Sequence, residues 1–513
     1  MAERPEVLKL YQKQKEQENS PRDTEKQHAL GKLLARERID LLLDPGSFCE
    51  FDSFMEGAPL KIGKKEIQTK QSVITGTGKI QGRQVYLYSQ DFTVEGGSVG
   101  EREARKICKV MDMAIQNGKP FIGLNDSAGA RVREGVRNFA YWNIFNRNVQ
   151  ASGVIPQIFA IMGPCAGGAV YSPALGDFIF MVDKIGGMFL TGPAVIKAVT
   201  SEEITKEELG GARVHNEVSG VSHFFAPTEK ECIEQIKSLL SYLPSHWREK
   251  PPFVPTEYDL TQSDPRFYDL VPDNPKKLYD MHQVIDLIVD EGKFLEVQAR
   301  FAKNIIIGFG RLAGYTIGIV ANQPRFLGGC LDIHASDKSS RFIRFCDAFN
   351  IPLLSLVDVP GYLPGKHQEY GGIIRHGAKM LYAYAEATVP KIVLILRKVY
   401  GGGIAGMCCS KERGADELLV WPGAEIATLG AEGAVDLFYG DEIKTAPNPE
   451  RKRDELIQEF RQEVASPYTV SATGRIDRII DPKETRKELI QALLHNLQKK
   501  ERLPEKKHGI FPV

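Results

Sequence analysis

The chain has 513 residues, with 66 Lys+Arg balanced against 66 Asp+Glu, 42% hydrophobic and 26% charged residues. This is the composition of a globular protein, and a net charge of zero offers no field of one sign to nucleic acid or an anionic membrane surface. Met1–Ser20 lacks the apolar core of a signal or transit peptide, and no run of 18 apolar residues exists to span a membrane, so a cytoplasmic protein is expected.

In chain order, Pro21–Leu43 reads as a basic helix carrying Lys32, Arg36 and Arg38. Val73–Ile80 and Val85–Tyr88 read as a hairpin turning at Gly82, with Gly76 and Gly78 marking a twist or bulge. Glu101–Asn117 carries Ile107, Val110, Met111 and Ala114 at helical spacing. Pro120–Leu124 is a short strand running into Asn-Asp-Ser-Ala-Gly-Ala-Arg at 125–131. A helix over Glu134–Ser152 and a strand over Ile155–Met162 follow, and residues 163–169, Gly-Pro-Cys-Ala-Gly-Gly-Ala, open another helix. Ser245–Pro272 holds five prolines and reads as a linker, too proline-rich for a helix or central strand. The domains expected are 1–250 and 273–513, joined by a linker at 251–272.

Beyond it the plan repeats: strands Asn304–Ile307 and Ile317–Ala321, helix Ser336–Phe349, strand Leu353–Val357, helix Gly371–Ala387, strand Ile392–Leu396, then a glycine turn at 401–403. Glu484–Lys507 reads as a charged helix covering a surface.

The repeat has a register. Gly76, Gly78, Gly82, Gly96, Gly97, Asp126 and Gly129 recur 232 residues later as Gly308, Gly310, Gly314, Gly328, Gly329, Asp358 and Gly361. Pro156, Gly167 and Gly168 recur at an offset of 234 as Pro390, Gly401 and Gly402, and Ile39–Asp44 at 246 as Ile285–Asp290. Glycines persist while most side chains change, which predicts an α/β chain of two tandem domains born of a duplication. A period this long is far above that of a solenoid.

Where a strand meets a helix, paired glycines leave backbone N–H groups bare, and the helix dipole adds positive potential. Residues 166–169 and 401–403 therefore either hold an anion, one formed during reaction included, or simply permit close packing. No phosphate-binding loop, G-x-G-x-x-G at the head of a βαβ unit or G-x-S-x-G elbow occurs. His334, His367 and His376 lack the companions of a metal site, and none is expected. Asp126 and Asp358 are expected to cap the turns after their strands. Lys338, Arg341 and Arg344 either meet a phosphate or face solvent. The eight cysteines include no C-x-x-C pair and read as reduced thiols.

Several strings resemble the carboxyltransferase (β) subunit of biotin-dependent acyl-CoA carboxylases. They are 89–98, Ser-Gln-Asp-Phe-Thr-Val-Glu-Gly-Gly-Ser, with 125–131, 151–156 and Ala-Gly-Gly-Ala-Val-Tyr-Ser-Pro at 166–173. Leu331-Asp-Ile, Asp337-Lys338 and Asp-Val-Pro-Gly-Tyr-Leu-Pro at 358–364 belong with them. Residues 369–379, Glu-Tyr-Gly-Gly-Ile-Ile-Arg-His-Gly-Ala-Lys, resemble the propionyl-CoA carboxylase β-chain type and, equally, the methylmalonyl-CoA decarboxylase α-subunit type.

The resemblance implies two crotonase-like ββα-superhelix domains and a ring-shaped homo-hexamer, with sites between the N-domain of one subunit and the C-domain of another. It implies that Gly167 and Gly168 cradle the thioester oxygen of an acyl-CoA, with Gly129, Ala130, Arg131, Ala166, Lys32 and Arg36 also binding it. Gly402 and Gly403 would hold the ureido oxygen of biotin, beside Gly361, Tyr362, Tyr370, Gly371 and Gly401. Both partners pass through oxyanions, so two holes are needed and no protein base. Relatives usually continue their turn as Gly-Gly-Ala-Tyr-Asp-x-Met; here Ile404 and Ala405 stand instead and are the expected specificity positions. Glu95 also replaces a commonly apolar residue, which opens the way to a larger or polar acyl group. With no biotinylation string and no ATP site in the sequence, the implied partners are a biotin carboxyl carrier protein and a biotin carboxylase or a membrane decarboxylase subunit. Alternatives are the reverse half-reaction of a sodium-pumping decarboxylase, a biotin-independent hydratase or thioesterase of crotonase type, and a scaffold with a dead site.

Overall fold

The computed structural model describes residues 8–9, 21–57, 59–62, 65–67, 70–272, 274 and 277–513. Apart from residues 8 and 9, the reading of Met1–Ser20 falls outside them. The chain divides into two compact units, Met1–Trp247 and Arg248–Val513.

The first unit is built on an eight-stranded sheet. Its strands are β1 Cys49–Phe51, β4 Val73–Ile80, β5 Arg83–Gln90, β6 Phe121–Ser127, β7 Gln157–Ala166, β8 Phe178–Val182 and β10 Phe224–Ala226, in that spatial order, with β9 Gly187–Phe189 on β7. A separate hairpin pairs β2 Leu60–Ile62 with β3 Lys65–Ile67. From β5 to β10 every pairing is parallel. Parallel strands covered on both faces carry unbroken apolar runs, and Phe-Ile-Phe-Met-Val of β8 is buried throughout. The helix Glu101–Asn117 lays Ile107, Val110, Met111 and Ala114 into that core.

The second unit repeats the plan strand for strand: β11 Phe294–Val297, β12 Ile305–Leu312, β13 Tyr315–Asn322, β14 Leu353–Val359, β15 Lys391–Tyr400, β16 Glu417–Val420 and β18 Arg478–Ile479, with β17 Glu425–Ala427 on β15. The expected tandem duplication of one α/β fold is therefore what the chain forms. The echo of Ile39–Asp44 has a cause as well. Asp44 accepts the N–H groups of Gln81 and Gly82 at the β4–β5 turn, and Asp290 those of Ala313 and Gly314 at the β12–β13 turn. The β2–β3 hairpin lies between Asp44 and β4 and has no counterpart strand in the second unit, where the offset falls from 246 to 232.

Four readings are corrected. Pro21–Leu43 is two helices, Pro21–Ala29 and Ala35–Leu42, interrupted where Gly31 turns to φ +72°. Glu134–Ser152 begins as a 3₁₀ segment, Val132–Ala140, and is α-helical only from Tyr141 to Ala151. Gly76 and Gly78 keep regular register with β5 and make no bulge; a Cβ on them would strike the Cys49 carbonyl and the Leu43 side chain. The tail helix covers only Thr485–Asn496, with Leu489, Ile490 and Leu493 in the core. As for Ser245–Pro272, the division between units falls after Trp247, and the proline-rich stretch packs onto the second unit. Phe253 bridges to Tyr315, and the short helix Phe267–Leu270 buries Phe267 completely.

Candidate active site

In the first unit the register of β6 on β7 shifts between Asn125 and Ser127, which leaves Asp126 as the extra residue of a bulge. The chain then turns through Gly129 (φ +102°), and Val99 and Ala130 form an isolated parallel bridge. β7 ends at Ala166, Gly167 takes φ +60°, and Gly167–Val170 form one 3₁₀ turn. A Cβ on Gly129 would stand 2.5 Å from the Ala166 carbonyl, so these two segments touch. Gly129, Ala130, Ala166, Gly167 and Gly168 thus gather at the ends of β6 and β7. Around Gly168 a Cβ would find nothing within 4 Å. Packing does not demand glycine there.

The second unit reproduces this corner. The β14–β15 register shifts at Asp358, Gly361 takes φ +133°, and Leu331 bridges to Tyr362. β15 ends at Tyr400, Gly401 takes φ +49°, and the helical turn Gly402–Gly406 follows. The first N–H groups of such a turn have no carbonyl partner within it. Gly403 lies against Val359 and Gly361, and the half-buried Ile404 and Ala405 continue the turn. Burial pushes the Tyr362 phenol up to about 12, so it stays neutral. Tyr370, by contrast, is 82% exposed on the separate helix Lys366–Gly371. Gly371 there makes room for Ile333. Two strand ends, each with its bulge and its positive-φ glycine turn, occur at matched places.

A family described as the carboxyl transferase domain matches residues 26–511. The chain belongs to this family. It is 55% identical over 489 residues, 95% of each chain, to the propionyl-CoA carboxylase carboxyltransferase subunit of Haloferax mediterranei. To the methylmalonyl-CoA decarboxylase α subunit of Propionigenium modestum it is 53% identical over 491 residues, again 95% of each. A crystal structure of transcarboxylase 12S, a hexamer with methylmalonyl-CoA and methylmalonic acid bound, superposes with a TM-score of 0.94 at 48% identity, covering 99% of this chain and 98% of that one. The chain is accordingly an enzyme, a carboxyltransferase of tandem crotonase-like fold.

Within this carboxyltransferase two basic residues do something other than expected. Lys32 is 6% exposed; its ammonium lies 2.7 Å from Asp126 and 4.2 Å from the Phe92 ring centroid, so it is committed inward. Arg131 is 3% exposed and is held by Glu95, Glu103, Glu134 and the Ser98 carbonyl. Glu95 also pairs with Arg133, so its carboxylate is already engaged by two arginines. Arg36 is exposed and paired with Glu50 on β1, the far edge of the sheet from β7.

Asp126 and Asp358 are not turn caps. Each is fully buried and ion-paired: Asp126 to Lys32 and Arg38, Asp358 to Arg397. Arg38 also takes Glu229 at 2.7 Å and donates to the Met162 carbonyl, tying the bulge to β7. The repeated glycine pairs serve the same place. A Cβ on Gly97 (φ +65°) would stand 2.0 Å from the Asp126 carbonyl, and one on Gly329 (φ +78°) 2.6 Å from that of Asp358. Lys338 meets neither phosphate nor solvent. Its buried ammonium donates to the carbonyls of Gln298, Phe301 and Ile305 at 2.8–3.0 Å, with that of Ala302 at 3.4 Å. Arg344 pairs with Glu386.

Proposed function

We propose that the chain moves a carboxyl group between biotin on a separate carrier protein and the α-carbon of a short acyl-CoA such as propionyl-CoA. The observation that carries the reading is the pair of glycine turns at the matched ends of β7 and β15. Gly167 and Gly168 would aim N–H groups at the thioester oxygen, where negative charge builds as the α-carbon loses its proton. Gly402 and Gly403 would hold the ureido oxygen. The second turn fits a flat cyclic urea, since Gly402 presents bare, exposed backbone and Tyr362 lines the corner. Biotin, when bound, supplies the site that gives up or accepts the carboxyl group. The backbone amides favour the charged states of both partners, and one such donor is worth about 100- to 1000-fold in rate.

The partners in this reading are a biotin carrier protein and a biotin carboxylase subunit, acting in the cytoplasm with a homo-hexamer of this chain. The hexamer of the transcarboxylase 12S structure supports that assembly. The similarity to decarboxylase α subunits, at 53% against 55% for a carboxylase subunit, favours a second reading of the same site. In it the half-reaction runs backwards beside a membrane decarboxylase subunit. The partner that co-purifies with the chain separates the two.

The test is mass spectrometry of the purified chain with free biotin and malonyl-, methylmalonyl- or glutaconyl-CoA. Loss of carboxylate that depends on biotin is expected, and it names the acyl group. Turnover without biotin would instead mark a crotonase-type enzyme acting alone.

A further inference from the structure

Ala130 and Tyr362 hold one position in the duplicated fold. Each follows the positive-φ glycine after its bulge, and each forms the isolated bridge of its unit, to Val99 and to Leu331. Their surroundings are exchanged. A Cβ on Gly402 would stand 2.9 Å from Cδ2 of Tyr362, one on Gly377 2.9 Å from Cε1, and one on Gly406 2.8 Å from the hydroxyl oxygen. Three glycines therefore make room for one ring. In the first unit the residue matching Gly377 is Phe145, on the helix Tyr141–Ala151. Its ring packs edge-on against Tyr171 at 5.9 Å, on the helix that follows the turn. Each unit thus spaces the helix after its turn from the preceding long helix with one aromatic ring. That ring is rooted in the helix in the first unit and in the loop after the bulge in the second. Rooting it in the helix leaves position 130 a methyl group and the space around Gly168 empty.

Resting on the function proposed above, we propose that this exchanged pair sets which turn takes which partner. The Tyr362 ring walls the second turn into a slot for a flat cyclic urea and denies it to a branched acyl thioester. Ala130 keeps the first turn open to the thioester. Tyr362 is then a specificity determinant, not a group that takes part in proton transfer, and Phe145 is what permits Ala130 to be small.

The experiment exchanges the pair in the full-length chain, Tyr362→Ala with Gly377→Phe, so that a ring still spaces the helices. It follows biotin-dependent decarboxylation of the acyl-CoA that the wild type turns over. We expect KM for free biotin to rise about tenfold, the scale of one lost aromatic contact. KM for the acyl-CoA should stay within about twofold, inside the 2–3-fold context dependence of such contacts. An unchanged KM for biotin, with wild-type turnover that does depend on biotin, overturns the inference alone. Wild-type turnover that ignores biotin overturns the underlying reading and this inference with it. Should the exchange melt early, Tyr362→Phe and Tyr362→Leu decide. Recovery of biotin KM by Phe but not by Leu supports a flat wall. Equal behaviour of the two overturns it.

Discussion

Gly163 and Arg397 hold the same place on β7 and β15, and they neutralise the two buried aspartates in opposite ways. A Cβ on Gly163 would stand 1.9 Å from Oδ1 of Asp126, so no side chain fits, and the cations arrive from upstream as Lys32 and Arg38. At the matching position Arg397 supplies the charge itself, its Nε donating to Oδ2 of Asp358 at 3.0 Å.

Removing either guanidinium strands a buried carboxylate. Arg397→Met leaves Asp358 with only Lys398 at 4.0 Å, and Arg38→Met leaves Lys32 to face both Asp126 and Glu229. Each should destabilise its unit by about 3–5 kcal/mol. Denaturant unfolding measures this, and a loss below about 1 kcal/mol would show that the pair is not what holds the bulge.

The glycines separate into two kinds. Gly97→Val drives a side chain into the Asp126 carbonyl from a left-handed backbone and should lower the melting temperature sharply, by at least about 2 kcal/mol of stability. Gly168→Val meets empty space and should melt like the wild type, yet lose about 100-fold or more in transfer by crowding the amide hole. Near-normal turnover in Gly168→Val would remove the first hole from the mechanism.

A pH dependence follows from His282, which the hydrogen bond to Glu296, joined by Asp280, raises to about 9. The folded state then binds the proton more tightly than the unfolded chain, whose histidine titrates near about 6.5. This stabilisation is complete below about pH 6.5 and is lost as the pH climbs through about 9. His282→Asn should flatten melting temperature against pH across that window. An equal slope in the variant would assign the dependence elsewhere.

Ala405, on the turn after Gly402 and Gly403, stands where relatives carry a residue that tunes acyl choice. Ala405→Asp should shift the ratio of kcat/KM between methylmalonyl- and malonyl-CoA by about tenfold, the range of one methylene-sized change in a pocket. An unaltered ratio would place this residue outside the acyl pocket.

The duplicated turns were legible because a glycine needed by the backbone persists whatever surrounds it, so Gly167 and Gly401 announce each other across 234 residues. The direction of long charged side chains was not. Lys32 and Arg131 sit beside the right segments in sequence but point into the interior, because their carboxylate partners come from elsewhere in the fold. Glu229 lies 191 residues from Arg38, and no local pattern announces the pair. One signal was present: an arginine closing the apolar run of β15 opposite a glycine in the repeat marks a charge that must find a buried partner. The interrupted first helix was also marked, by Gly31.

The aspartates that brace the two hairpin turns act over different spans of chain, 38 residues from Asp44 to Gly82 but 24 from Asp290 to Gly314. Closing the longer loop costs only about 0.4 kcal/mol more in chain entropy, because that cost grows with the logarithm of length. A gene that had doubled itself was thus free to lengthen one copy ahead of β4 and not the other. The first unit should assemble its hairpin corner less than about twofold more slowly than the second.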